Sequence, residues 1–311
     1  MRASGAAPQD VIGSASDSNF ESGGSTVEKW VVDKNFLESP ELAEFLSTDP
    51  SHRAVLIDFS AIEGYTGNPV KNMHKSLAIV SQYPDQVLVL KGAGEIVAMG
   101  AIDPNTRFDL VDWNQTRGFA KFCRQLERAK AGDPKYVAAI AELAQAAQEH
   151  LAMMETKMAF MVDAFEEIGR MVGPEALRAR REKTKLPIEA GEKIITLICH
   201  LADSLFANDP AVPKIKGTLA EARHYYTLRY ATAGVVLAVL WAQAGGASGA
   251  RTDRLRNDFV DLSYVTAATY FDGLFTNDKR MSDVYAETVF LIEDFFSGNM
   301  SRGNAKLSGT R

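Results

Sequence analysis

The sequence predicts an α/β fold in which a short, mostly parallel sheet is flanked by helices and enlarged by a large helical insertion. Residues 54–58 and 86–90 are short continuous apolar runs, which are typical of strands buried in a parallel sheet. Residues 136–171 instead carry Ala, Leu, Met and Glu at helical spacing, with no Gly or Pro before Gly169. This segment predicts a long helix or a tight pair of helices.

Length and composition indicate a soluble globular protein. The chain has 311 residues, of which 46% are apolar and 24% charged, so it can bury a sizeable core. Its formal charge is −6, from 40 acidic and 34 basic side chains. It therefore lacks the overall basic character of nonspecific nucleic-acid binders, and any such contact must be local. Bound divalent cations would reverse the charge of a carboxylate-lined cleft.

Several functional classes are disfavoured by the residues present. Cys123 and Cys199 are the only cysteines, too few for a disulfide framework or a zinc site with paired thiolates, so a reducing cytoplasmic setting is expected. No secretory signal is expected, and no apolar run reaches the ~20 residues that span a bilayer, so no membrane association is predicted. The histidines show no paired metal-ligand spacing; they are His52, His74, His150, His200 and His224.

Composition divides the chain into five segments. Both ends are polar or rich in small residues and lack apolar periodicity, which is typical of flexible tails. The mainly helical middle separates two parts that carry strand patterns. The predicted segments are a flexible tail at 1–28, the N-terminal part of the sheet domain at 29–115, a helical insertion with flanking helices at 116–245, the C-terminal part of the domain at 246–297, and a flexible tail at 298–311.

In the N-terminal part, residues 29–45 predict a short strand or arm followed by a helix. Ser39 and Pro40 mark the start of that helix, because Ser is a good N-cap and Pro suits the first helical turn. A helix over 70–81 connects the two apolar runs, and a short helix containing Glu95 follows the second.

The remaining elements are mostly helical. Helices are predicted over 189–206 and 218–243 within the insertion. After the Gly-rich break at 245–249, a helix over 258–270 is expected to lead into a short strand at 273–276. A last helix is predicted over 282–296, so the strand at 273–276 is expected to lie between two helices.

Carboxylates occur at the predicted ends of strands and at the start of a helix. Asp58 ends the first apolar run, and ligand sites in open α/β sheets gather at the carboxyl ends of strands. Asp258 and Asp261 are three residues apart, so they share a helix face, and they are expected in the first turn, where the helix dipole favours negative charge. Asp278 follows the strand at 273–276. These positions predict an acidic site.

The residues that make up this site resemble the PIN-domain nuclease family. That family's C-terminal signature is an acid opening an alanine-rich helix, a short apolar strand and a Thr-x-Asp turn. Its N-terminal signature is an apolar strand that ends in Asp and is followed two residues later by Ser or Thr. The matching residues are Asp261, Ala267–Ala268, Leu274–Phe275 and Thr276–Asn277–Asp278 at one end, and Ile57–Asp58–Phe59–Ser60 at the other. The resemblance covers about residues 54–100 and 250–296.

The resemblance implies phosphodiester hydrolysis assisted by Mg²⁺ or Mn²⁺, most simply in RNA, with DNA left open, and a role as a toxin or defence effector. Hard oxygen ligands suit these cations. Asp58 and Asp278 would be direct ligands, and Asp261 a ligand or an acid that positions water. Asp258 would be a ligand or the cap of its helix.

Further roles follow from the same resemblance. Glu95 is the positional candidate for the family's second acid, although Glu192 and Glu221 on later helices remain open. Hydroxyl and amide groups would orient the carboxylates. The residues expected to do so are Ser60, Thr276 and Asn277.

A basic segment offers contacts to nucleic acid. Arg178, Arg181, Lys183 and Lys185 would supply a local positive field for phosphates, although such a run is also typical of a solvated helix face. The helical insertion is a candidate surface for a homo-oligomer or a protein partner.

Two other interpretations remain open. A haloacid-dehalogenase-like phosphatase also begins with an apolar strand ending in Asp, but that family needs a second Asp where this chain has Ser60. A PIN-like scaffold without catalysis would bind partners through the insertion. Metal binding and cleavage distinguish these classes.

Overall fold

The computed structural model describes residues 27–297 except 157, 183, 185, 186, 206, 208, 248 and 250. The predicted tails at 1–28 and 298–311 lie outside the described residues, apart from Val27 and Glu28.

The fold is α/β and is built on a four-stranded sheet in which all strands are parallel. The spatial order is β3-β2-β1-β4, and the strands are β1 (Lys29–Val32), β2 (Arg53–Leu56), β3 (Val87–Val89) and β4 (Gly273–Phe275). The predicted short, mostly parallel sheet is thus confirmed. Because all strands point the same way, their carboxyl ends share one edge of the sheet.

The first strand is central, not peripheral. The sequence predicted a short strand or an arm at the start of residues 29–45, and in the structure β1 pairs with β2 on one side and β4 on the other. Trp30 lies opposite Gly273, and a Cβ at Gly273 would come within 2.5 Å of the Trp30 indole. The absence of a side chain at Gly273 therefore allows β4 to pair with β1.

Helices fill the connections between strands and the long segment before β4. In the N-terminal half they are α1 (Pro40–Thr48), α2 (Asp58–Gly64), α3 (Pro69–Ser76), α4 (Ala93–Ala98) and α5 (Trp113–Lys130). In the remainder they are α6 (Pro134–Glu155), α7 (Met158–Val172), α8 (Pro174–Arg181), α9 (Ile188–Leu205), α10 (Leu219–Ala222), α11 (Tyr226–Gln243), α12 (Thr252–Ala268) and α13 (Lys279–Val289). Short 3₁₀ segments occupy Lys34–Phe36, Val80–Gln82, Pro84–Gln86 and Pro104–Leu110, and a π-helical turn spans Phe290–Phe295.

Most helices were predictable, with displaced ends. The segment 136–171 is a pair of helices, α6 and α7, and the helix predicted over 218–243 divides into α10 and α11. The helix predicted over 70–81 is shorter in the structure, where α3 ends at Ser76. Among the described residues, no helix combines the length and the apolarity needed to cross a bilayer.

One displaced end bears on the site. The helix predicted over 258–270 begins instead at Thr252, after an extended Arg251. Asp258 and Asp261 therefore lie in the interior of α12, and their predicted placement in its first turn is wrong. The last helix begins at Lys279 rather than at 282, because the Asp278 carboxylate caps it.

Three apolar clusters form the core. Val31 and Val55 point to one face of the sheet, where α12 packs, and Val32 and Leu56 point to the other. The third cluster surrounds α11, whose side chains are buried on nearly all sides. The helices around α11 thus share a core of their own, whereas α5 and α6 pack against the second face of the sheet. Helix α12 contributes to both the α11 core and the cluster on the first face of the sheet.

Candidate functional site

The carboxyl ends of β1 and β4 meet and bring polar side chains together. Val32 pairs with Phe275, and the Asp33 amide donates to the Phe275 carbonyl at 2.9 Å. The Thr276 hydroxyl donates to Asp33 Oδ2 at 2.9 Å and accepts from the Asp278 amide at 3.0 Å. One hydroxyl therefore joins the two strand ends.

Asp278 is fixed by the helix that follows it. Its Oδ1 accepts hydrogen bonds from the amides of Arg280 and Met281, at 2.7 and 3.2 Å. A helix N-terminus favours a negative charge at this position. Within the described part of the chain, no hydrogen bond engages Asp278 Oδ2, so one oxygen remains for a ligand.

Asp261 faces this strand edge from α12. Burial raises the pKa of Asp261 to about 8, and repulsion by nearby carboxylates adds to that rise; these are Asp33, Glu63, Asp258 and Asp278. No hydrogen bond or ion pair to Asp261 occurs among the described residues. A half-buried carboxylate surrounded by like charges and without a cationic partner is costly unless a proton or a cation is bound.

Glu63 reaches the same place from α2. Its Oε2 accepts a hydrogen bond from the buried Tyr264 hydroxyl at 3.0 Å, and that hydroxyl is also 3.3 Å from Ser60 Oγ. Burial raises the pKa of Glu63, Asp33 raises it further, and the positive charges of Lys34 and Arg256 oppose the rise. Glu63 therefore lies close to both acidic and basic groups.

We call Asp33, Glu63, Asp261 and Asp278 the acidic cluster. Burial also raises the pKa of Asp33, and the Asp278 charge adds to the effect. The donors are all carboxylates, which are the hard ligands that Mg²⁺ and Mn²⁺ prefer. As the side chains stand, no three His, Cys, Asp or Glu groups in the described residues are arranged to hold a metal ion. Binding a cation would require these carboxylates to draw together.

Asp258 has a different environment. It is 1% exposed and accepts a hydrogen bond from Trp241 Nε1 at 2.7 Å, while its other oxygen pairs with the Arg280 guanidinium. Both oxygens are thus engaged within the protein. Its contacts are those of a buried ion pair that holds α11, α12 and α13 together.

Asp58 lies at the end of the neighbouring strand and is also held by backbone groups. Its two oxygens accept from the amides of Phe59 and Ala93, at 3.0 and 3.1 Å, so it connects β2 to the start of α4. Burial raises the pKa of Asp58, and the hydrogen bonds and His150 oppose that rise. The charges that act most strongly on Asp261 do not include Asp58.

The glutamates predicted as the second acid lie elsewhere. Glu95 is exposed on α4 and lines a surface cavity with Trp113. Glu192 is exposed on α9, and Glu221 forms a capping box with Thr218 at the start of α10.

Of the remaining predicted site residues, some lie beside the acidic cluster and others lie away from it. Thr276 contacts Asp33 of the acidic cluster, and Ser60 contacts Tyr264, which holds Glu63. The Asn277 side-chain amide donates to the Asn35 carbonyl at 3.3 Å. In the basic segment, Arg178 pairs with Glu182 on the exposed face of α8 and Arg181 is exposed. Lys183 and Lys185 lie outside the described residues.

Two acidic residues of the cluster were missed by the sequence analysis. Residues Trp30–Asp33 carry the same signal as residues 54–58, an apolar run ending in an acid, and that signal could have identified Asp33. Glu63 gave no comparable signal, because its position depends on how α2 leaves the sheet.

Comparisons with known proteins add no relative. No protein-family model, no curated protein and no solved structure matches the chain. Arguments about function therefore depend on the chemistry of the site.

Proposed function

We propose that this protein is a PIN-like, metal-dependent nuclease that hydrolyses phosphodiester bonds at the acidic cluster. The observation that carries the proposal is Asp261, a carboxylate facing other carboxylates with no cationic partner among the described residues. A divalent cation would remove that repulsion. The PIN resemblance supports the same chemistry, since its C-terminal signature includes Asp261 and Asp278.

The strand-ending acid of the family pattern is assigned to Asp33 in this proposal. Asp33 follows β1 directly and Asp58 comes two residues after β2, but only β1 pairs with β4, which leads to Asp278. Asp33 and Asp278 share Thr276 as a hydrogen-bonding neighbour. This assignment places the first and last acids of the pattern side by side.

Each side chain has a defined task under this proposal. Asp33, Asp261 and Asp278 would hold Mg²⁺ or Mn²⁺, and the bound cation would activate water and stabilise negative charge on the phosphoryl group. Thr276 orients two of the carboxylates through its hydroxyl. Glu63, kept in place by Tyr264, would accept a proton from the attacking water.

The basic residues beside the cluster fit a phosphodiester substrate. Lys34 and Arg256 both act electrostatically on Glu63. Lys34 makes no ion pair among the described residues, whereas Arg256 pairs with Glu155. A free ammonium group beside the carboxylates can hold a phosphate of the substrate strand. RNA is preferred over DNA on the PIN resemblance alone.

The phosphatase alternative gains no support from the contacts of Asp58. Its oxygens accept backbone hydrogen bonds, and Ser60, at the position of the required second acid, is buried against Tyr264. A noncatalytic PIN-like scaffold is the alternative that the first experiment addresses.

The test is cleavage of labelled single-stranded RNA and DNA in Mn²⁺, Mg²⁺ or EDTA. We expect metal-dependent cleavage by the wild type and none by Asp33→Asn/Asp278→Asn, whose amides preserve shape and remove charge. Asp283→Asn on the exposed face of α13 is the matched control and should retain activity. Asp58→Asn decides between the two strand-ending acids: loss of cleavage there, with retention in Asp33→Asn, would overturn the assignment.

A further inference from the structure

A second surface feature lies outside the acidic cluster, around two exposed aromatic rings. Phe108 is 41% exposed and Trp113 is 45% exposed. Their ring centroids are 6.2 Å apart, with an angle of 29° between the ring planes. Both line a surface cavity of about 410 Å³. Large aromatic side chains are normally buried, so an adjacent exposed pair indicates a binding surface.

The exposure of these rings is imposed by a firmly held backbone. The Lys91 amide donates to the Leu110 carbonyl at 2.9 Å, and the Asp112 amide donates to the Val89 carbonyl at 2.8 Å. Leu110 and Val111, between the two rings in sequence, are each 1% exposed. The segment thus buries its aliphatic residues against the sheet and leaves its two largest rings at the surface.

The rings are also held individually. Trp113 begins α5, whose N-terminus is capped by Asp112 through the amides of Asn114 and Gln115, each at 2.9 Å. Phe108 lies beneath the Lys29 ammonium group, 5.4 Å from its ring centre. A surface fixed before binding loses little entropy when a ligand arrives.

Polar groups around the rings define the ligand. Lys91 and Arg117 line the same cavity and supply positive charge, and Asn114 supplies an amide. Three carboxylates, those of Glu95, Asp109 and Asp112, line it as well. Asp112 is engaged as the cap of α5, and the other two can accept hydrogen bonds from amino groups. Flat rings for stacking, cations for phosphate and hydrogen-bonding groups at the rim together match an unpaired nucleotide.

We propose that Phe108 and Trp113 form a stacking site for bases of single-stranded nucleic acid, with Lys91 and Arg117 contacting the adjoining phosphates. The role of this stacking site in binding substrate rests on the proposed nuclease function. Binding of nucleic acid can be measured separately from cleavage. Duplexes keep their bases stacked internally and do not offer them to an aromatic surface. The site therefore selects single strands.

The experiment measures binding of fluorescein-labelled oligonucleotides by anisotropy, in EDTA so that no cleavage occurs. The probes are oligo-U RNA, oligo-A RNA, oligo-dT and a DNA duplex. We expect the wild type to bind the single strands more tightly than the duplex. Phe108→Ala/Trp113→Ala should weaken single-strand binding by about tenfold or more.

Three further variants make the test specific. Trp113→Phe retains a stacking face and should keep most of the affinity. Arg117→Ala should weaken binding and reduce its salt dependence. Phe290→Ala removes an equally exposed ring, 47% exposed on the π-helical turn, and should leave affinity unchanged.

Several results would overturn the stacking site. One is equal affinity of the wild type and the double alanine variant; others are tighter binding of the duplex and no binding of any probe. A change in oligomeric state alone would make this surface a protein contact. Loss of metal-dependent cleavage with ring-dependent binding preserved would refute the nuclease alone. Cleavage with unchanged KM in the double variant would refute the stacking site alone.

Discussion

The Thr276 hydroxyl donates a hydrogen bond to Asp33 Oδ2 at 2.9 Å, and so connects the carboxyl ends of two paired strands that are more than two hundred residues apart in sequence. The Thr276 hydroxyl oxygen also accepts a hydrogen bond from the Asp278 amide at 3.0 Å. One side chain therefore links two carboxylate-bearing residues of the acidic cluster, Asp33 and Asp278.

Replacing Thr276 with Val should destabilise the protein. Val has a similar shape but no hydroxyl, so Asp33 Oδ2 loses its donor and the Asp278 amide loses its acceptor. The expected loss is about 1–3 kcal/mol in the free energy of unfolding, measured by urea denaturation. Thr276→Ser keeps the hydroxyl and should lose clearly less; equal losses for both variants would show that the hydrogen bonds contribute little.

Asp261→Asn should change how stability depends on pH. The pKa of Asp261 is raised from 3.8 to about 8 in the folded protein. The folded protein therefore binds this proton more tightly than the unfolded chain does, so the free energy of unfolding falls as pH rises from about 4 to about 8. The variant lacks the group that titrates.

The measurement is the difference in Tm between wild type and Asp261→Asn in EDTA. The variant should gain relative stability from pH 5 to pH 8, since the asparagine carries no charge in that range. Titratable groups distant from Asp261 are present in both proteins and largely cancel in the difference. A difference that does not vary with pH would contradict the electrostatic account of the cluster.

Arg280→Ala should be strongly destabilising. It removes the cationic partner of Asp258, which is 1% exposed, and leaves a buried charge whose one remaining side-chain hydrogen-bond donor in the described part of the chain is Trp241. We expect a loss of about 3 kcal/mol by denaturant unfolding at pH 7. The loss should shrink as pH falls, because burial raises the pKa of Asp258 and the variant lacks the Arg280 charge that opposes this rise.

The matched control for that variant is Arg251→Ala. Arg251 pairs with Asp253 on the surface, where the arginine side chain is 83% exposed. Such pairs contribute about 0.5 kcal/mol or less. Similar losses for the two arginines would argue against a structural ion pair at Asp258.

Gly273→Ala and Gly118→Ala should have opposite effects. A Cβ at Gly273 would meet the Trp30 indole at 2.5 Å, so the substitution should cost about 1–3 kcal/mol. A Cβ at Gly118, inside α5, would meet nothing within 4 Å, so alanine should stabilise the helix by about 1 kcal/mol. Thermal unfolding of both variants tests the pairing of β1 and β4.

The predictability of the fold differs between strands and helix ends. The strands at 54–58 and 86–90 were predictable, because continuous apolar runs leave few alternatives in a chain of this composition. The start of α12 was not, because Thr252–Asn257 is largely polar and only Leu255 marks the buried face. That error put Asp258 and Asp261 in a first turn, whereas both lie inside the helix.

The candidate site was predictable at its C-terminal end. Asp261 and Asp278 lie within one short stretch whose strand and caps are local features. Asp33 required knowledge of strand order, since β1 and β2 carry the same pattern and only their pairing with β4 distinguishes them. The environment of Asp58 depends on the Ala93 amide, a contact that no local pattern reveals.

Calorimetric titration of Mn²⁺ into the 311-residue protein tests most directly whether the acidic cluster is a cation site. Wild type and Asp283→Asn should bind Mn²⁺ with similar affinity. Asp33→Asn and Asp261→Asn, if folded by circular dichroism, should each lose at least about tenfold in affinity, because each removes one anionic ligand. Equal Mn²⁺ affinity in all four proteins, or no binding to the wild type, would contradict the proposal that these carboxylates hold a metal.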